Sequence, residues 1–281
     1  MILDTHHHLW KVDRGDYYWM TGDFQALRRD YLPDDLRPLL RKAGVTKTIV
    51  VQAAPTLAET DFLLALAEET DFIAGVCGWL DMESDSFSRD LERYRAHPYF
   101  AAIRPMIQDL PDDRWILRPQ VLANLKHLAA EKFPFEFLLY PRQMSAVIEA
   151  IEEVPGLHCV IDHISKPVIR EGMIEPWKSN IARMATRPNV FCKLSGMITE
   201  ARHDAWTPDD LRPYIEHVFD CFGVERLLFG SDWPVCLLAG DYAEVINALR
   251  TVLGPRLDRD ATDKLFYGNG ARFYGINWEG P

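Results

Sequence analysis

Residues 2–10 read ILDTHHHLW: a short apolar entry, three consecutive histidines and an aromatic exit. The apolar flanks place the histidines inside a folded segment, not in a polar overhang such as an appended tag. Seven more runs of this kind follow ILDTHHH (2–8): TKTIVVQA at 46–53, DFIAGVCGWLD at 71–81, FAAIRPMIQ at 100–108 and PFEFLLYP at 134–141, then LHCVIDHISKP at 157–167, NVFCKLSGM at 189–197 and RLLFGSDWPV at 226–235. Nearly continuous apolar runs suit strands buried on both faces, as in a parallel sheet.

Amphipathic stretches separate the runs. PDDLRPLLRKAG passes from acidic first-turn residues to a stop at Gly44, and TLAETDFLLALAEE offers Thr56 as N-cap with Glu59 three residues on, a capping-box pattern. TPDDLRPYIEHVFDCFG and DYAEVINALRTVLG both end on glycine. Eight strands, each followed by a helix, are the pattern of a closed (β/α)8 or TIM barrel in the α/β class; an open doubly wound sheet is the other topology with this alternation. The 281 residues are 48% hydrophobic and contain no linker or repeat, so one domain over 1–281 is expected.

The net charge of −11 opposes a nucleic-acid partner, which needs a concentrated basic surface, and opposes attraction to an anionic membrane. No apolar run nears the ~20 residues that span a bilayer, and the N-terminus lacks a leader pattern. The expectation is a soluble cytoplasmic protein whose partner is a small molecule; self-assembly into a homo-oligomer stays open. Five cysteines, Cys77, Cys159, Cys192, Cys221 and Cys236, form no CxxC pair, and four lie in or beside strand runs as small buried hydrophobes.

In such a barrel the chemistry sits where strands end. The strand ends carry His6, His7 and His8; Gln52; Trp79 and Asp81; Arg104; Tyr140; Asp162 and His163; Lys193 and Ser195; and Ser231, Asp232 and Trp233. Burying so many polar groups costs several kcal/mol unless they pair or bind something. Side chains alternate along a strand, so His6 and His8 share one face while His7 takes the other, toward the helical layer. His6 and His8 are spaced to share one ion, and His163 and Asp232 complete a nitrogen–oxygen ligand set that suits zinc. A hydrogen-bonded histidine pair without metal, and an Asp232 that merely caps the turn before Pro234, are the plainer readings.

DTHHHLW, DHISKP, CKLSGM and FGSDWPVCLLA, in that order, resemble the amidohydrolase superfamily, and within it the branch of sugar lactonases and pyrone-dicarboxylate lactonases. The likeness runs nearly end to end, including YLPDDL and the closing LFYGNGARFYG, and the KLSG and GSDWPVCLLA wording is closest to L-fuconolactone hydrolases. It implies a barrel hydrolase with Asp232 as general base and His6, His8 and His163 around the reaction centre. Binuclear relatives add a bridging Lys or Glu from strand 4 or 5 and further histidines. Here those strands offer Arg104 or Tyr140, so one metal ion or none is expected, not two.

Lactone hydrolysis needs a polarised carbonyl, an activated water and a proton for the departing alkoxide. Asp232 is the natural base and proton carrier. A metal on His6, His8, His163 and Asp232 would polarise the carbonyl; without it, the histidines and Lys193 would stabilise the oxyanion. Lys193 as a plain ion-pair partner is the alternative. The long loop LWKVDRGDYYWMTGDF supplies Trp10, Tyr18 and Trp19 as walls for a sugar ring. Gln52, Arg104, Tyr140 and Trp233 complete the expected substrate contacts. With Arg104 and Lys193 as the only strand-end cations, and Arg142 one step further, a neutral polyol lactone fits better than a dicarboxylate. A decarboxylase of aromatic acids, and a silent barrel used for binding, remain the alternatives; a silent barrel has no need to keep four polar groups buried together.

Overall fold

The computed structural model describes residues 1–276, so the last five residues of the expected domain lie outside it. Eight parallel strands join in sequence order into one sheet: β1 (Leu3–His7), β2 (Lys47–Val51), β3 (Ile73–Gly78), β4 (Phe100–Ile103), β5 (Phe135–Phe137), β6 (Cys159–Ile161), β7 (Val190–Leu194) and β8 (Leu227–Phe229). Closure runs through the strand ends. His7 bridges in parallel to Trp233, and the His8 amide donates to the Trp233 carbonyl at 2.7 Å. The Thr5 hydroxyl donates to the Phe229 carbonyl at 2.6 Å, and the Ser231 amide to the Asp4 carboxylate at 2.8 Å. Side chains thus complete the β8–β1 seam where backbone pairs are few. The barrel is the (β/α)8 architecture, not an open sheet.

Helices fill the crossovers: α1 (Pro33–Ala43), α2 (Leu57–Glu69), α3 (Phe87–Arg95), α4 (Pro119–Glu131), α5 (Met144–Glu153), α6 (Trp177–Ala185), the single turn α7 (Met197–Glu200), α8 (Pro208–Phe222) and α9 (Tyr242–Leu253). α1 ends on Gly44 in the left-handed region, where a side chain would be strained. Thr56 caps α2 by accepting the Glu59 amide at 3.1 Å, but the reciprocal half of the expected capping box is missing. The Glu59 carboxylate turns instead to the Ala53 amide and the Tyr17 hydroxyl, both at 2.9 Å.

The strands are shorter than their apolar runs suggest, most of all at the C-terminal end. The run at 157–167 gives only Cys159–Ile161 to the sheet, and that at 100–108 only Phe100–Ile103. Pro105 and Pro167 lack the N–H a ladder needs. The remainders of the runs become the loops that carry the site. One extra residue in β1 between Asp4 and His7 shifts its register against β2 and sets His6 and His8 facing inward.

Most apolar residues pack between the strands and the helices. A smaller cluster, including Val51, Cys77, Val160, Leu228, Phe273 and Tyr274, fills the lower barrel interior. Above it the inward-facing positions turn charged: Glu136, Asp162, Lys193 and Arg104 are all buried.

Candidate active site

β1 supplies two imidazoles by alternation beyond its bulge. The His6 and His8 rings stand 5.0 Å apart, while His7 points the other way and pairs with the Thr48 hydroxyl at 2.9 Å. β6 supplies the third by a different device. His163, Ile164, Ser165 and Lys166 all adopt positive φ, a left-handed turn in non-glycine residues that costs roughly 1–2 kcal/mol per residue. The turn is held by its surroundings. The Trp177 indole donates to the Ile164 carbonyl at 2.6 Å, and His163 Nδ1 pairs with the Ser195 hydroxyl at 2.9 Å. Gly196 is required here, because a Cβ would lie 2.5 Å from His163 Nδ1. The His163 ring ends 4.4 Å from that of His6.

β8 supplies the carboxylate. Gly230 lets the strand pass His6, where a Cβ would lie 2.6 Å from the His6 Cβ. Asp232 then sits at φ 57°, pinned by its amide to the His6 carbonyl at 2.7 Å. Its Oδ1 lies 3.4 Å from His8 Nε2, 3.8 Å from His163 Nε2 and 3.9 Å from His6 Nε2. Burial pushes the Asp232 pKa up, but His163 and His8 outweigh it and the net direction is down, so the carboxylate is ionised at neutral pH. Burial lowers all three imidazoles, with Lys193 and Arg104 adding to the effect on His6, so they are neutral.

These protonation states test whether a cation fits. His8 Nδ1 faces the Val51 carbonyl at 2.8 Å and must carry the ring proton, since a carbonyl only accepts. The Nε2 lone pair therefore aims at the Asp232 carboxylate, acceptor against acceptor, which a cation between them satisfies. Donors around a tetrahedral ion lie roughly 3.3 Å apart, close to the separations here. His6, His8 and Asp232 form one cluster of ligand atoms able to hold an ion. His163 reaches the same oxygen from the far side. Arg104 Nη1 lies 3.2 Å from His6 Nε2 and competes for its lone pair. The residues fit a divalent cation.

The cleft above encloses about 580 Å³ of empty space including its open mouth, with His8, His163 and Asp232 on its floor. Of the expected substrate contacts, Trp19, Arg104 and Tyr140 line it. Trp10, Gln52 and Trp233 do not, which corrects that expectation. Trp10 is buried with its indole on the Arg29 carbonyl at 2.7 Å, and Trp233 is buried against Tyr31. Gln52 is spent behind the wall, donating to the Arg104 carbonyl at 2.7 Å. Tyr18 stays at the rim, donating to Asp109 at 2.9 Å.

Lys193 is also misplaced by the sequence reading as a direct oxyanion contact. It is wholly buried beneath His6, ion-paired with Glu136 at 2.5 Å and Asp162 at 3.1 Å. Burial lowers its pKa, but these two carboxylates more than offset that and keep it charged. Sequence reasoning missed Lys166, which lines the cleft with its ammonium 5.4 Å from the Tyr140 ring. It also missed Phe24, Met106, Gln108 and Asp109. Lys166 was visible in DHISKP, but as the tail of a strand. Arg104 Nε and Gln108 Oε1 have no protein hydrogen-bond partner.

Imidazoles and a carboxylate gathered at the strand C-termini of a closed parallel barrel define a hydrolase centre whose donors suit one divalent cation. The chain belongs to the amidohydrolase family, whose model matches residues 3–276. It is 40% identical over 280 residues to an L-fucono-1,5-lactonase of Burkholderia ambifaria, covering 98% of this chain and 96% of that protein. A second L-fucono-1,5-lactonase, from Burkholderia multivorans, is 33% identical over 284 residues, covering 98% and 96%. The crystal structure of an amidohydrolase from Burkholderia multivorans with bound zinc superposes with a TM-score of 0.93 at 32% identity, covering 99% of this chain and 100% of that one.

Proposed function

We propose that the protein hydrolyses the lactone of a sugar acid, of the L-fuconolactone or L-rhamnonolactone type, to the aldonic acid, and that it does so in the cytoplasm with one zinc ion. The observation that carries this is a single oxygen, Asp232 Oδ1, facing three imidazole nitrogens within 3.9 Å on the cleft floor. His6, His8, His163 and Asp232 would hold the ion, which would supply Lewis acidity toward the lactone carbonyl. The second oxygen of Asp232 takes a proton from the attacking water and returns it to the ring oxygen as the ester bond breaks. Trp19, Phe24 and Met106 present apolar surface to the ring, while Arg104, Gln108, Asp109 and Lys166 offer partners for hydroxyls.

A pyrone dicarboxylate or an aromatic acid needs several cationic clamps. With Lys193 locked below the floor, the cleft wall keeps Arg104 and Lys166, which favours a polyol. A pH-indicator screen of aldonolactones, on metal-stripped protein with and without zinc, tests the reading. Acid release that depends on zinc supports it in full. Release without zinc retains the lactonase and removes the ion from the chemistry. No release from any sugar lactone overturns it.

A further inference from the structure

One wholly buried carboxylate lies outside the Asp232 centre. Glu59 stands in the first turn of α2 and does not line the cleft. The sequence assigns it to a capping box, where it would serve the backbone of its own helix. Burying a carboxylate is costly unless its oxygens are engaged, and the partners it takes all lead to the cleft wall. Glu59 Oε1 accepts the Ala53 amide at 2.9 Å. The carbonyl of the same Ala53 accepts the Trp19 indole N–H at 2.7 Å. Ala53 and Trp19 both line the cleft.

The other oxygen reaches the segment that carries Trp19. Glu59 Oε2 accepts the Tyr17 hydroxyl at 2.9 Å and lies 3.3 Å from Arg14 Nη2. Tyr17 and Arg14 precede Trp19 on the loop between β1 and α1. One carboxylate thus holds Trp19 from two directions, through the backbone it hydrogen-bonds and through its own loop. The indole has a single N–H and spends it on Ala53. Its ring contacts are Trp10 at 5.4 Å and Phe24 at 5.6 Å.

We propose that Glu59 is a positioning residue that fixes the Trp19 wall of the cleft through the backbone of Ala53, and so sets the affinity for a ring-shaped ligand. An aromatic wall favours a sugar ring most when the indole is already in place; an indole that must be ordered first lowers affinity. Because Glu59 touches neither the cleft nor the reacting groups, its loss should act on KM and spare kcat. The inference rests on the sugar-lactone reading for its effect on KM, but not for its effect on Trp19.

Two readouts on the intact protein test it. The first is the indole N–H resonance of Trp19 in a proton–nitrogen spectrum, identified by its loss in Trp19→Phe. Glu59→Ala is expected to shift that resonance and to speed its exchange with solvent. Glu59→Gln keeps an oxygen for the Ala53 amide and is expected to leave the resonance near its wild-type place. A Trp19 resonance unmoved by Glu59→Ala overturns the proposal. If Glu59→Ala does not fold, Glu59→Met fills a similar volume without an acceptor, and the same results decide.

The second readout is hydrolysis of L-fuconolactone by the zinc-loaded enzyme. Glu59→Ala is expected to raise KM about tenfold with kcat unchanged, and Glu59→Gln to restore KM. In a Trp19→Ala background the same substitution should leave KM where it is, because the wall it positions is gone. An equal rise of KM with and without Trp19 makes Glu59 a general support and overturns the proposal. A shifted Trp19 resonance in a protein that hydrolyses no sugar lactone would defeat the lactonase reading and uphold this inference.

Discussion

Two segments bring an imidazole to the same carboxylate oxygen by opposite routes. β1 does it with extended backbone, where alternation beyond a one-residue bulge aims His6 and His8 inward and turns His7 away. The end of β6 does it with four consecutive left-handed residues that aim His163 across the barrel. The first route is inexpensive and repeats a rule any strand obeys. The second persists only because Trp177, Ser195 and Gly196 hold it. A site can therefore be robust on one flank and dependent on its supports on the other.

The largest expected effect bears on the point where the routes meet. Asp232→Asn should lower kcat/KM by about 10³-fold with an unchanged melting temperature; near wild-type turnover would mean the two flanks converge on the wrong residue. The next concerns the support of the β1 side, where Glu59 clamps the loop that carries Trp19. Burial lifts its pKa to about 7, and its neighbours are the Ala53 amide, Tyr17, Arg14 and Asp16. A carboxyl raised in the folded state contributes stability that is full below the unfolded value of 4.5 and lost as pH rises through about 7. Relative to Glu59→Gln, the wild type should lose on the order of 3 kcal/mol between those limits. Parallel unfolding curves at all pH values would show that Glu59 does not ionise in place.

On the β6 side, Gly196→Ala drives a Cβ into His163 at a positive φ. It should cost about 2 kcal/mol in denaturant unfolding, and turnover should fall with it. An unaffected variant would show that the left-handed turn relaxes freely, and the contrast between the flanks would collapse. Ser195→Ala leaves the backbone alone and removes only the partner of His163 Nδ1. It should weaken zinc binding about tenfold in a competitive chelator titration, the smallest change of the four. A larger loss than from His6→Ala would reverse the ranking of the two routes.

The same contrast explains what was legible. Period-two alternation named His6, His8 and the strand-end Asp232, and the count of strands named the barrel. Alternation fixes which face a residue takes but not its height along the barrel axis. Lys193 and Asp162 share the inward face with the site yet sit one layer beneath it, so Lys193 was read as a cleft residue. Glu136 vanished into the apolar run PFEFLLYP because a single acid there does not disturb the strand pattern. Lys166 was hidden by a turn that no propensity foretells, since its four residues are ordinary ones forced left-handed by Trp177 and Gly196. Trp10 and Trp233 were aromatic in the right places, but the packing of the first loop consumed them.

The seam between β8 and β1 has one more consequence. The residues it joins come from the first and the eighth strand, His6 from β1 and Asp232 from just beyond β8. During synthesis the first strand emerges before the other seven and must wait, its histidines unmatched, until the eighth has left the ribosome. A chain stopped before β8 can own most of the barrel and still lack the carboxylate that faces the three imidazoles. The site is therefore whole only once β8 has joined β1, and that junction is the closing stitch of the barrel.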